Sequence, residues 1–187
     1  VIPLMYGTME GWMPLPLVSR WKSAKAVMAI GQFFLIRRGV FLDINGFEGV
    51  RAEVVEDLAI GRIIKKAGYR LGFLDGTSLA WCRMYQNGAE VIDGFSKNLY
   101  AGMGGHWWPF TWVCLLYLAC FVVPFFLWPW RPVFGIGILA TLLQFAIVGA
   151  RHRLPVLSRI GVPASGLLFV GIALRSAWWS WTGSGQW

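Results

Sequence analysis

Acidic residues are missing from the second half of this 187-residue chain, because none of its nine Asp and Glu residues lies beyond Asp93. Any carboxylate chemistry must therefore come from the first half. Charged residues of either sign are also scarce. They make up 14% of the chain, against about 25% in a typical soluble domain. Hydrophobic residues reach 57%, which favours a membrane protein.

Cysteine and histidine are too few to indicate a disulfide framework or a metal centre. Cys82, Cys114 and Cys120 form no Cys-x-x-Cys pair, and the last two lie in an apolar run. His106 and His152 are scattered along the chain. No metal ligand set is therefore predicted among these residues.

The basic excess does not indicate nucleic-acid binding. Lys and Arg number 17 against 9 acidic residues, for a formal net charge of +8. Beyond Asp93, however, the cations are single residues that punctuate apolar runs, which is typical of membrane proteins. No motif that reads DNA or RNA is present. We therefore expect a membrane as partner and no nucleic acid.

Three apolar segments in the second half are long enough to cross a bilayer core: residues 107–130, 133–150 and 162–181. The first begins and ends with tryptophan, which favours membrane interfaces, and contains Pro124, which is expected to kink a helix. The third is interrupted by Arg175, whose side chain would have to extend toward a Trp-rich interface. The sequence thus predicts about three transmembrane helices within residues 107–187.

Arginines between these segments predict their orientation. The connection after the second segment carries Arg151, Arg153 and Arg159, whereas the connection before it carries only Arg131. By the positive-inside rule the three-arginine loop is cytoplasmic. Residues before the first segment then also lie in the cytoplasm, as expected for a multi-pass protein of a bacterial inner membrane.

Residues 89–106 are predicted to form an amphipathic helix in the membrane interface. Apolar residues from Val91 to Met103 fall on one arc, while Glu90, Asp93 and Lys97 fall on the other. The alternative is an ordinary surface helix on a soluble core.

The first 88 residues have a mixed pattern that predicts an α/β fold. Buried strands are expected at 33–36, 69–74 and 77–85. A helix is expected over 53–67, because acidic residues open it, two lysines close it and Gly68 follows.

The adjacent carboxylates Glu56 and Asp57 are the strongest candidates for chemistry, because they stand among valine, leucine and isoleucine. An aspartate at a helix start can take a proton from an alcohol that attacks an electrophile, and its neighbour can orient it. The alternative is structural: both carboxylates cap the helix and bond backbone amides. Spacing alone leaves both interpretations open.

The order of several short motifs resembles that of membrane-associated family 2 glycosyltransferases, the group containing cellulose synthase, hyaluronan synthase and ceramide glucosyltransferase. The resemblance covers roughly residues 26–187 and is closest to bacterial enzymes acting on carotenoid, hopanoid or other lipid acceptors. Its elements are residues 31–38, Asn45-Gly46-Phe47, Glu56-Asp57 followed eleven positions later by Gly68, residues 82–85 and residues 93–100.

The resemblance implies an inverting transfer from a nucleotide-sugar donor to a lipid or terpenoid hydroxyl. Residues 1–88 would be the acceptor half of a GT-A-type mixed-sheet catalytic domain, followed by the interfacial helix 89–106. Asp57 would be the general base, assisted by Glu56. A divalent metal, Mg²⁺ or Mn²⁺, would normally be held by an Asp-x-Asp motif. None occurs here, so the donor-binding half is expected upstream of a C-terminal fragment.

Four further residues are candidates for substrate binding by the same resemblance: Gln32, Arg83, Tyr85 and Lys97. Lys97 stands where processive polysaccharide synthases carry Gln-x-x-Arg-Trp, so transfer of a single sugar is favoured over polymerisation. It could approach the donor diphosphate, or it could extend its ammonium to the interface. Arg83 and Tyr85 could equally bond backbone at a sheet edge.

Two other classes of function compete with a transferase. A transporter or flippase module is disfavoured because the apolar segments lack Asp and Glu, which ion-coupled transport usually places there. A non-catalytic membrane scaffold would keep the fold without the chemistry. The sequence does not name the sugar, the nucleotide or the acceptor.

Overall fold

The computed structural model describes residues 2–12, 15–74, 76, 78–80 and 82–184 of the chain. Every regular element in these residues is helical, and none of them belongs to a β-strand. The predicted α/β fold with a GT-A-type mixed sheet is therefore wrong for the described residues. Contacts divide the chain into two compact units. We call residues 13–91 the polar unit, and residues 1–12 with 92–187 the apolar unit.

The helical elements follow one another along the chain, with long connections over residues 21–37 and 67–87. In order they are α1 (Ile2–Trp12), α2 (Leu15–Arg20), α3 (Arg38–Asp43), the 3₁₀ turn Glu48–Val50, α4 (Glu56–Lys66), α5 (Gly88–Gly102), α6 (Trp107–Phe121), α7 (Val123–Leu127), α8 (Phe134–Arg151), α9 (Val156–Ile160) and α10 (Val162–Thr182).

None of the three predicted strands is observed in the described residues. Residues 34–37, 69–74 and 82–85 have no regular structure, and positions 75, 77 and 81 lie outside the described residues. Leu35 is 84% exposed and Leu74 is 88% exposed, so neither is buried as a core strand requires. β-propensity reports a fit to neighbouring strands rather than an intrinsic preference. The apolar pattern therefore does not produce a strand where no neighbouring strand pairs with it.

The helix predicted over 53–67 is confirmed as α4. Glu56 and Asp57 lie in its first turn and two lysines in its last. Its end is fixed at Gly68, which has φ +86° and donates its N–H to the carbonyl of Lys65. A left-handed residue of this kind is the usual helix stop.

The core of the polar unit forms on the buried face of α4. Ile60 and Ile64 pack there with Val27, Val50 and Leu71. Residues that precede α4 in sequence and one that follows it therefore pack against the helix in one small core. This packing fixes the position of α4 relative to the preceding loops.

The apolar unit contains the second predicted helix, observed as α5 over Gly88–Gly102. Its core is largely aromatic. Tyr117 of α6 stacks on Phe169 of α10 at 3.9 Å between ring centroids, and Phe121 meets Phe145 of α8 edge to face at 5.9 Å. Offset and edge-to-face pairs of this kind add stability beyond their buried area. These rings join α6, α8 and α10.

The first apolar segment is broken where the sequence places a proline. Helix α6 ends at Phe121, and α7 begins two residues later with Pro124 in its first turn. Proline has no N–H, so the carbonyl of Cys120 loses its normal helical donor. The hydroxyl of Thr141 on α8 donates to that carbonyl at 3.4 Å. The kink expected at Pro124 is thus supported from the neighbouring helix.

Arg175 does not stand alone in α10. Its guanidinium forms an ion pair with Asp93 of α5 at 2.8 Å and lies 4.3 Å from the ring centre of Trp179. Ser176, the next residue, accepts a hydrogen bond from the Tyr100 N–H at 2.9 Å. The sequence predicted an arginine reaching toward an interface. The structure adds a specific partner and a second polar tie between α5 and α10.

Two helices, α8 and α10, are long and apolar enough to cross a membrane. Helix α6 is apolar but shorter, because the proline break ends it. Residues 162–181, the apolar segment that Arg175 interrupts, lie in α10, which is the longest helix among the described residues.

Gly166 and Gly171 provide a matched test of how α10 packs. A Cβ at Gly166 would come within 3.0 Å of the Val122 side chain and 3.4 Å of Phe121, whereas a Cβ at Gly171 meets nothing within 4 Å. We expect Gly166→Val to lower the free energy of unfolding by about 1–3 kcal/mol relative to Gly171→Val, because only Gly166→Val overpacks the contact with α6, while both substitutions gain helix propensity equally. Thermal unfolding of the purified protein measures the difference. Equal midpoints for the two variants would contradict the observed packing of α10.

Candidate functional site

The carboxylate of Asp57 is held by two backbone N–H groups at the start of α4. Its Oδ2 accepts a hydrogen bond from Gly31 at 2.9 Å, and its Oδ1 accepts one from Leu58 at 2.7 Å. The side chain is half-buried. The residue before the helix, Val55, supplies no side-chain cap. Asp57 therefore takes part of the role of a cap and also ties the loop at Gly31 to the helix.

These two bonds leave the carboxylate with capacity to act. An ionised carboxylate has about four lone-pair sites on its two oxygens. The two N–H donors use one site on each oxygen. Each oxygen therefore keeps a site that can accept a hydrogen bond from a hydroxyl group, or its proton. Hydrogen bonds from backbone groups also fix the orientation of the carboxylate, which a positioned base requires.

Glu56 is exposed and lines a shallow open groove of about 310 Å³. The groove combines apolar and charged walls. It is lined by Phe47, Val50, Arg51, Glu53 and Glu56. The turn just before Phe47 contains Asn45 and Gly46, both with positive φ. An amphipathic molecule with a hydroxyl group matches such a lining better than a purely apolar one.

Gln32 connects the Asp57 loop to the segment that contains Arg83 and Tyr85. Its Nε2 donates to the sulfur of Met84 at 2.9 Å, and Gln32 directly follows the Gly31 N–H that bonds Asp57. The structure thus brings Gln32 and residues 83–85 close together, one residue along the chain from the Asp57 tie. Arg83 is exposed, while Tyr85 is half-buried, and burial raises the pKa of its phenol.

Lys97 belongs to the apolar unit, whereas Gln32, Arg83 and Tyr85 belong to the polar unit. It is exposed on α5, one turn after Asp93, which pairs with Arg175. Its predicted contact with a donor diphosphate therefore stays a prediction.

Lys65 is a buried cation that the sequence patterns did not indicate as a candidate. Its Nζ donates to three backbone carbonyls, those of Val18 at 2.6 Å, Trp21 at 2.8 Å and Ala26. Burial lowers the pKa of this ammonium. Lys65 lies four residues after buried Gly61 on α4, and that spacing is the signal that could have indicated its burial.

A second polar contact supports the end of α4. The hydroxyl of Tyr69 donates a hydrogen bond to the carboxylate of Asp43, and that bond and charge raise the pKa of Tyr69. Asp43 is thus a carboxylate of the polar unit bonded to a side-chain hydroxyl, whereas Asp57 accepts its two bonds from backbone N–H groups.

The described residues do not fit a divalent metal site. They contain no group of three His, Cys, Asp or Glu side chains that could hold an ion.

Comparison of the chain with family models, with curated proteins and with solved structures gives no match. The resemblance to family 2 glycosyltransferases therefore depends on the short sequence motifs alone.

Proposed function

We propose that this chain supplies the acceptor half and the general base, Asp57, for inverting transfer of a sugar from a nucleotide-sugar donor to a lipid hydroxyl at a membrane surface, and that it is inactive without the donor-binding half expected upstream. The observation that carries this function is the Asp57 carboxylate, oriented by the N–H groups of Gly31 and Leu58 while each oxygen keeps an accepting site.

The chemistry is one displacement. The acceptor hydroxyl gives its proton to Asp57 while its oxygen forms a bond to the anomeric carbon of the donor. The bond from that carbon to the diphosphate oxygen breaks, and its electron pair leaves with the nucleoside diphosphate. Attack from the face opposite the leaving group inverts the anomeric configuration.

The surroundings of Asp57 suggest roles for the other candidates. The acceptor would lie along the groove beside Glu56, with its apolar part against Phe47 and Val50. Gln32, Arg83 and Tyr85 would bind polar groups of the substrates. The proposed role of Lys97 at the diphosphate comes from the family resemblance alone. A divalent metal would stabilise the departing diphosphate, held by residues outside those described.

A membrane location supports a lipid acceptor. Only 22% of the apolar stretch of α8 and 39% of that of α10 are buried within the protein. Their exposed faces carry large apolar side chains: Ile136, Leu139, Leu143, Ile147, Leu167, Leu168, Leu174, Trp178 and Trp181. Lipid is the solvent that such faces require. We propose that the protein lies in a bacterial inner membrane, with the polar unit in the cytoplasm as the positive-inside rule predicts.

A non-catalytic scaffold is the second candidate, and one observation favours it. The same two hydrogen bonds of Asp57 tie the Gly31 loop to α4, so this carboxylate has a structural role whether or not it reacts. The two candidates differ in whether labelled sugar enters lipid.

Transfer itself is tested by supplying radiolabelled nucleotide sugars to membranes that contain the whole protein, which is this chain together with the donor-binding half expected upstream of it. We expect label in the organic-solvent extract from at least one donor, and none from matched membranes lacking the protein. Absence of labelled lipid with a full panel of uridine, guanosine and thymidine diphosphate sugars would favour the scaffold.

The orientation in the membrane makes a separate prediction. In a variant without the native cysteines, Arg131→Cys should react with an impermeant thiol reagent in intact cells, and Ser158→Cys should not, because arginine-rich loops stay in the cytoplasm. Mass shift of the labelled protein reports the reaction, and permeabilised cells provide the control in which both positions react. Labelling of position 158 alone in intact cells would reverse the assigned topology.

A further inference from the structure

A group of exposed cations surrounds the point where Lys65 holds the segment 18–26. Arg20, Lys22 and Lys25 are exposed on that segment, and Arg62 and Lys66 are exposed one turn apart on α4. Together with Trp21 we call them the basic rim. The three carbonyl bonds of Lys65 join the two elements that carry these cations.

Within the described residues, the charge of the basic rim is not neutralised by the protein itself. Within the described part of the chain, no carboxylate forms an ion pair with any of its five cations. The carboxylate of Asp43, in the same unit, accepts a hydrogen bond from Tyr69 instead. An unpaired cationic surface of this size attracts a polyanion.

We propose that the basic rim docks the polar unit on the anionic headgroups of a membrane. Trp21 decides in favour of lipid over a soluble polyanion, because its side chain is 56% exposed in the middle of the cations. Indole rings lie at the headgroup level of bilayers, whereas a soluble anion does not require an exposed indole. The rim would hold this unit at the lipid surface independently of any transfer reaction.

Lys65 makes the surface rigid. Its ammonium bonds three backbone carbonyls, one of them the carbonyl of Trp21 itself. The Trp21 backbone is therefore fixed before lipid is met, which reduces the ordering cost of binding.

The test uses the full chain in nanodiscs, with Ser23→Cys carrying an environment-sensitive fluorophore and the native cysteines replaced by alanine. Ser23 is exposed and lies between the rim cations. We expect a blue shift in nanodiscs containing phosphatidylglycerol, but not in pure phosphatidylcholine. Since 1 M salt shortens the screening length to about 3 Å, it should remove the shift.

Replacing Arg20, Lys22 and Lys25 by glutamine should lower the ratio of docked to undocked protein about 100-fold, because each cation near an anionic surface contributes about five-fold. The control variant replaces Arg37, Arg38 and Arg51 by glutamine, because these arginines are exposed elsewhere in the polar unit. It should keep most of the shift.

Three results would exclude docking of the basic rim on anionic headgroups. One is an equal response in the two lipids, and another is an equal loss in both triple variants. The third is a shift of the same size when heparin, a soluble polyanion, is added to phosphatidylcholine nanodiscs.

Discussion

Asp57→Asn should lower the turnover of sugar transfer about 100-fold or more, which is the usual scale for loss of a general base. The amide keeps the size of the carboxylate but cannot take the proton of the acceptor hydroxyl. It also loses one of the two bonds to Gly31 and Leu58, at a cost of about 1 kcal/mol in stability. Turnover is measured as labelled sugar entering lipid per folded protein in membranes.

Two further variants separate chemistry from structure. Glu56→Gln should lower turnover less, because Glu56 assists from the groove and accepts no proton in the displacement. Asp43→Asn is the matched control, since it removes a carboxylate of the same unit that is bonded to Tyr69. It should leave turnover nearly unchanged. Near-normal turnover in Asp57→Asn, or an equal loss in Asp43→Asn, would exclude Asp57 as the base.

Lys65→Met should lower the free energy of unfolding by about 2–4 kcal/mol, because it leaves the carbonyls of Val18, Trp21 and Ala26 without their donor. Methionine keeps most of the buried stem, so the loss reports the ammonium and its bonds. Thermal or chemical unfolding of the purified protein measures the change. Limited proteolysis should also cut segment 18–26 faster in this variant.

Lys66→Met is the natural control, because Lys66 is exposed and adjacent in sequence. Its effect on stability should stay within about 0.5 kcal/mol, as for most surface substitutions. If the two variants unfolded at the same midpoint, the three carbonyl bonds would contribute nothing net.

Helices were predictable where the residues that mark their ends lie within the helix or directly next to it. Two acidic residues, two lysines and Gly68 mark α4, and all of these act over one turn. The break between α6 and α7 follows in the same way from Pro124, whose missing N–H is a local property.

The strands were predicted wrongly, because a strand is defined by its neighbour. Residues around Leu35 and Leu74 have the apolar pattern of strands, yet both side chains are exposed and the described chain there forms no strand. An apolar run indicates a tendency to be buried, but the strand pairing that would bury it depends on residues elsewhere in the chain.

The candidate site was predicted in part. Glu56 and Asp57 stood out because carboxylates among apolar residues need a partner, and Asp57 has two. The donors, however, are backbone N–H groups, one of them 26 residues away at Gly31, and backbone donors have no signature in sequence. The burial of Lys65 was not predicted, because a lysine at a helix end has an ordinary explanation in the helix dipole.

The anomeric configuration of the product tests the central claim most directly. Membranes containing the protein would be supplied with a ¹³C-labelled α-linked nucleotide sugar, and the one-bond C1–H1 coupling of the isolated glycolipid would be read by NMR. A single displacement with Asp57 as base predicts a β-linked lipid glycoside that is absent when Asp57 is replaced by asparagine. An α-linked product, or the same amount of β-linked product from the Asp57→Asn protein, would contradict it.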